Sequence, residues 1–172
     1  RYKIILFDID GTVRTPIRGE GKWMYDWKDQ KPIQPCVDKI KQVKGTGISL
    51  VGCSNQGYAN PQESLKGMQL CLKSVPLDAI IFPADYNGKS AIKAERNTYK
   101  RYLVSHLANR FNSFKKPDAG LLSLAVQLYC PQASLDQVLF VGDDLIDEKT
   151  ANRLGCDFMY DTEWLELAPH GT

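Results

Sequence analysis

The sequence predicts an α/β protein: a central parallel sheet of about five strands, covered by helices on both faces. Three observations point there. Short apolar runs rich in β-branched residues recur along the 172-residue chain, as expected of strands buried on both faces. Between them lie stretches with apolar residues at helical spacing, and that alternation indicates parallel strands joined by crossover helices. Several of the runs end in polar or acidic turns, and in such sheets ligands gather beyond the carboxyl ends of the strands.

The first strand spans about 3–7 and runs into Asp8-Ile9-Asp10-Gly11-Thr12. Side chains alternate along a strand, so Asp8 and Asp10 would face the same way if the strand continued. Two such carboxylates repel unless a cation sits between them. Residues 11–34 show no clear periodicity and carry Trp23, Tyr25 and Trp27. A helix at about 35–43 has Ile33, Val37, Ile40 and Val43 on one face, and Gly45 and Gly47 stop it. The second strand, 48–53, ends in Ser54-Asn55-Gln56-Gly57.

Asn60, Pro61 and Glu63 stand at the N-cap, N1 and N3 positions of the next helix, whose inward face holds Leu65, Met68, Leu72 and Val75. The third strand spans 79–82. A basic insert at about 84–115 follows, and its apolar spacing predicts a helix near 90–110. Asp118 is placed to cap a helix at 119–129. The fourth strand, 138–141, runs into Gly142-Asp143-Asp144 and a helix that Gly155 ends. The fifth strand is 157–160, and Trp164 belongs to a tail.

Length and composition suit one domain, 1–172, with a substantial core. Net charge is only +2, yet residues 89–116 hold eight basic side chains against Glu95 alone. The excess positive charge is thus confined to the insert, where it would meet a polyanion. The five cysteines form no CxxC pair and are odd in number, which argues against a disulfide framework and for a cytoplasmic setting. No apolar run reaches the roughly 18 residues that span a bilayer, so no membrane association is expected. The sequence leaves the oligomeric state open.

Four motifs stand at predicted strand ends or helix starts: Asp8-Ile9-Asp10-Gly11-Thr12, Ser54-Asn55-Gln56-Gly57, Lys116-Pro117, and Gly142-Asp143-Asp144-Leu145-Ile146-Asp147. In this order they resemble the four motifs of the haloacid dehalogenase (HAD) superfamily. Ser-Asn-Gln-Gly and Lys-Pro-x-x-Gly are similar to its subclass III-like branch, which includes polynucleotide 3′-phosphatases, histidinol-phosphate phosphatases and heptose-bisphosphate phosphatases. The resemblance implies a three-layer Rossmann-like fold with no large cap domain. It also implies a Mg²⁺-dependent phosphomonoester hydrolase working through an aspartyl-phosphate. On that reading Asp8 is the nucleophile and Asp10 the general acid and then base. Asp8, the Asp10 carbonyl and Asp143 hold Mg²⁺, and Asp147 orients its water. Ser54, Asn55 and Lys116 bind the phosphoryl group. The alternatives are a phosphotransferase and a non-catalytic phosphate-binding module.

Relatives acting on heptose bisphosphates often carry a Cys/His zinc loop before Lys-Pro. Here that segment has His106 and no cysteine, so no structural zinc is expected. The substrate is either a small phosphorylated metabolite or a nucleic-acid 3′-phosphate end. The basic insert and the aromatic residues Trp23, Tyr25 and Trp27 would serve the latter.

Overall fold

The computed structural model describes residues 1–56, 60–108 and 111–168. Its main sheet takes the five parallel strands expected: β1 (Ile4–Phe7), β4 (Ser49–Cys53), β5 (Ala79–Pro83), β8 (Val138–Gly142) and β9 (Asp157–Tyr160). Two further strands, β6 (Ser90–Ala94) and β7 (Tyr99–Leu103), pair antiparallel beyond β5. The order across the sheet is β7-β6-β5-β4-β1-β8-β9. A separate ribbon joins β2 (Arg14–Thr15) to β3 (Lys31–Pro32) and closes the base of the 11–34 loop.

Strand β1 is central because it is apolar on both sides. Ile5 and Phe7 enter one core and Ile4 and Leu6 the other, all fully buried. Helices α1 (Gln34–Val43) and α2 (Pro61–Ser74) cover the first face, joined by α5 (Asp161–Glu166). Helices α3 (Gly120–Tyr129) and α4 (Leu145–Leu154) cover the second. The chain winds from β1 outward through β4 and β5, then returns to β8 on the other flank of β1. The direction of winding therefore reverses at β1, where a crevice opens at the strands' carboxyl ends.

Local signals explain most boundaries. The Asn60 side chain accepts from the Gln62 N–H at 2.8 Å, with Pro61 in the first turn of α2. The αL residue Gly155 ends α4.

Three expectations are corrected. The 90–110 segment is a β-hairpin leading into a short 3-10 turn, Val104–His106. Its tight connection is closed by the Glu95 N–H donating to the Thr98 carbonyl at 2.9 Å. Arg110, like Gly57, lies outside the described residues. Asp118 does not cap α3: the boundary residue is Ala119, with no side-chain cap. Trp164 is not part of a loose tail. It is fully buried in α5, edge-on to Phe7 with ring centroids 5.1 Å apart. Buried Lys39 of α1 lies over the Trp164 ring, and its ammonium donates to the carbonyls of Trp164 and Leu167. Among the described residues no helix is long and apolar enough to cross a membrane.

Candidate active site

The chain leaves β1 sharply. The N–H groups of Thr12, Val13 and Arg14 all converge on the Ile9 carbonyl, at 3.0 to 3.2 Å. Gly11 has φ 86°, and a Cβ there would lie 2.3 Å from the Asp143 carboxylate, so both its conformation and the close approach require glycine. This turn separates the two acids. The Asp8 carboxylate is buried and meets the Lys116 ammonium at 2.7 Å. The Asp10 carboxylate swings the other way, to Arg14 Nε at 2.7 Å and Gln56 Nε2 at 2.6 Å. The same-facing geometry read from strand alternation does not hold, because regular strand structure ends at Phe7.

Around Asp8, ligand oxygens of Asp8, Asp143 and Asp147 lie within 4.8 Å of one another. Three carboxylates this close suit a hard divalent cation such as Mg²⁺. The Asp10 carboxylate stands outside this cluster. Asp147 reaches the site by folding back over the end of β8. A Cβ on Gly142 would come 2.5 Å from its Oδ2, so only glycine leaves that room. Asp144 caps α4 by accepting from the Ile146 N–H at 3.1 Å, the plain structural role of an acid at a helix start.

Burial pushes the Asp8 carboxyl up to about 7; Lys116 acts against this and Asp147 adds to it. Burial also disfavours the Lys116 ammonium, but Asp8 and Asp147 more than offset it and hold its pKa above the ordinary value. Lys116 donates to Asp147 Oδ1 at 2.8 Å as well as to Asp8. Asn55 fixes that lysine from behind: its Oδ1 accepts from the Lys116 N–H at 3.0 Å and its Nδ2 faces the Lys116 carbonyl at 3.4 Å. Ser54 Oγ accepts from Gln56 Nε2 at 2.7 Å, which leaves its own O–H to donate elsewhere. A small cleft of about 150 Å³ brings together Asp8, Asp10, Ser54, Asn55, Lys116 and Asp147. Every predicted site residue is thus in one place except Asp143, which flanks it through the carboxylate cluster.

Several contributors escaped the sequence reading. Lys22 pairs with Asp143 at 2.7 Å and reaches Asp144 at 3.6 Å. Arg14 and Gln56 hold Asp10. Asp29 is buried and accepts from four backbone N–H groups, those of Ile17, Arg18, Gly19 and Tyr25, at 2.8 to 3.0 Å. It shapes the loop that carries Trp23 and Tyr25. These hydrogen bonds, that of Tyr25 foremost, hold its carboxyl below the ordinary value. A depressed pKa stabilises the loop above the unfolded-state value, and that contribution is lost as pH falls through the folded one. Asp29→Asn should therefore loosen the loop at neutral pH and remove its acid-dependent opening. Tryptophan fluorescence, followed alongside far-UV circular dichroism during acid titration, checks this.

A second cleft, of about 560 Å³, adjoins the first. Asp10, Lys22 and Asn55 line both. The larger one is walled by Trp23, Tyr25 and Trp27 and floored by α2. Trp23 is 73% and Tyr25 71% exposed, and the Arg18 guanidinium lies over the Tyr25 ring, 5.5 Å from its centroid. Trp27 packs closer, with its Cβ against Gly67 of α2. On the cleft floor Ser64 Oγ is buried without a hydrogen-bond partner.

An α/β sheet with four motifs gathered at its central strand end, around a carboxylate cluster and a buried lysine, defines the HAD type of phosphatase. The family model for polynucleotide kinase 3 phosphatase matches residues 3–163. The chain belongs to that family and is a phosphatase of the HAD superfamily. Solved structures agree in fold. D,D-heptose 1,7-bisphosphate phosphatase from B. bronchiseptica, complexed with magnesium and phosphate, superposes with TM-score 0.59 at 16% identity over 91% of this chain and 78% of that one. A candidate HAD-like phosphatase from Mesorhizobium loti gives 0.58 at 20% identity over 90% and 69%. A HAD-superfamily hydrolase of subfamily IA from Geobacter sulfurreducens gives 0.53 at 14% identity over 92% and 88%. No curated protein sequence matches significantly.

Proposed function

We propose that the protein hydrolyses phosphomonoesters through a phosphoenzyme formed on Asp8, with Mg²⁺ as cofactor and a nucleic-acid 3′-phosphate end as substrate. The observation that carries this is the pair of adjoining clefts with Asp10 at their junction. The smaller fits a phosphoryl group beside Asp8. The larger, aromatic-walled cleft fits a leaving group that bears a nucleobase.

Asp8, the Asp10 carbonyl and Asp143 would hold the cation, with the Asp147 carboxylate close beside it, and the cation would supply charge compensation for carboxylate attack on a phosphoryl anion. In the first step an Asp8 oxygen bonds to phosphorus as the bond to the leaving oxygen breaks. Asp10 delivers a proton to that oxygen. In the second step water attacks phosphorus, Asp10 takes its proton, and the Asp8–phosphorus bond breaks to release phosphate. Lys116 balances the charge of Asp8 and Asp147. The Ser54 hydroxyl donates to a phosphoryl oxygen, and Asn55 keeps Lys116 in place.

The test compares a 3′-phosphorylated oligonucleotide with sugar and amino-alcohol phosphates in Mg²⁺. The oligonucleotide should be preferred, and kcat/KM on it should fall by roughly tenfold between about 50 and about 200 mM salt. A salt-insensitive preference for a small phosphate would replace the nucleic-acid reading with a metabolite one. Transfer of phosphate to added alcohols in place of water would make the enzyme a phosphotransferase.

A further inference from the structure

Two acids one residue apart would ordinarily share one environment. Here the chain spends a buried arginine to keep them apart. Arg14 is 4% exposed and its Nε donates to Asp10 Oδ1 at 2.7 Å. Gln56 Nε2 donates to Asp10 Oδ2 at 2.6 Å, so each carboxylate oxygen has its own donor. A looser contact from Arg14 Nη2 to Gln56 Oε1, at 3.4 Å, closes the ring. The second proton of Gln56 Nε2 goes to Ser54 Oγ at 2.7 Å. The network therefore ties Asp10 to the serine beside the phosphoryl cleft.

Such a ring fixes both the position and the plane of the carboxylate. The other cations lining this cleft, Lys22 and Lys116, are already committed to Asp143 and Asp8. Released, the Asp10 side chain would compete for those lysines and for the carboxylate cluster. Held, it stays where the two clefts meet, which is where the leaving oxygen must pass.

We propose that Arg14 and Gln56 are positioning residues that clamp the Asp10 carboxylate at the leaving-group oxygen, acting chiefly on proton delivery. The inference rests on the reading of Asp10 as general acid. A clamp of this kind matters in proportion to how much the leaving group needs its proton.

The experiment measures kcat/KM on 4-nitrophenyl phosphate, whose anion leaves unprotonated, and on an alkyl phosphate, whose alkoxide does not. Variants are Arg14→Gln, Gln56→Leu, Arg14→Lys and Asp10→Asn, with thermal melts to establish folding. Arg14→Gln and Gln56→Leu should lose roughly 10- to 100-fold more on the alkyl than on the aryl ester, with KM for the aryl ester within about twofold of the parent. Arg14→Lys, which keeps the charge but loses the fork, should fall between. Equal losses on both esters in Arg14→Gln and Gln56→Leu, beside a selective loss in Asp10→Asn, would overturn the clamp alone. Equal losses in Asp10→Asn would overturn the role of Asp10 and the clamp with it. If Arg14→Gln fails to fold, Gln56→Leu decides, since Gln56 lies in the turn after β4 and outside the cores.

Discussion

Asp8→Asn should abolish turnover of an aryl phosphate, by on the order of 10⁴-fold or more, while leaving the fold intact. An amide cannot attack phosphorus, but it fills the same space beside Lys116. Stability should change little in the absence of cation, because Lys116 keeps its ion pair with Asp147 at 2.8 Å. The variant should also lose most of its response to Mg²⁺. Cation at 100 times its dissociation constant stabilises a single site by about 2.7 kcal/mol, or roughly 5–10 °C in Tm for a chain of this size. Phosphate release and differential scanning calorimetry check the two outcomes. An unchanged rate would remove Asp8 as nucleophile.

Lys116→Met should have the largest effect on stability. Lys116 is 3% exposed and pairs with two buried carboxylates, Asp8 and Asp147. Taking one partner from such a cluster strands charge in the interior and costs about 3–5 kcal/mol, or roughly 10 °C in Tm. The cost should be smaller at acid pH, because burial already raises the Asp8 carboxyl and, without Lys116, it takes up a proton more readily in the fold than in the unfolded chain. Activity should fall on the order of 10²-fold or more. Adding Asp147→Asn to Lys116→Met should recover part of the lost stability by removing one unpaired charge, and a double-mutant cycle over pH 5 to 8 would measure the coupling. Equal stability of Lys116→Met and the parent protein across that range would show that the ion pairs are dispensable.

The five parallel strands were legible because each is built on a short apolar run that stands between turn or helix signals. The helix starts at Pro61 and the stop at Gly155 were legible because proline, asparagine and glycine act there through local chemistry. The hairpin of β6 and β7 was not. Its turn, Glu95 to Thr98, contains neither glycine nor proline, and Tyr99, Tyr102, Leu103 and Leu107 fall by chance at helical intervals. Trp164 looked like tail because only tertiary packing on Phe7 buries it. In the site, strand ends announced the acids, the serine and the lysine. Arg14 and Gln56 gave no such signal. Arg14 lies outside the family-like motif, and Gln56 lies inside it with no role attached. What joins them to Asp10 is the turn at Ile9 to Gly11, whose geometry alternation alone does not foretell.

The antiparallel hairpin also leaves β7 as the last strand on its side of the sheet. Among the described residues no strand pairs with its outer backbone groups, which makes the edge a template for another chain. Lys100 and Arg101 sit on that strand, both exposed. A second copy arriving edge to edge would bring the same charges against them and be repelled. Part of the insert's basicity would thus act without any ligand, by disfavouring edge-to-edge growth of an open sheet.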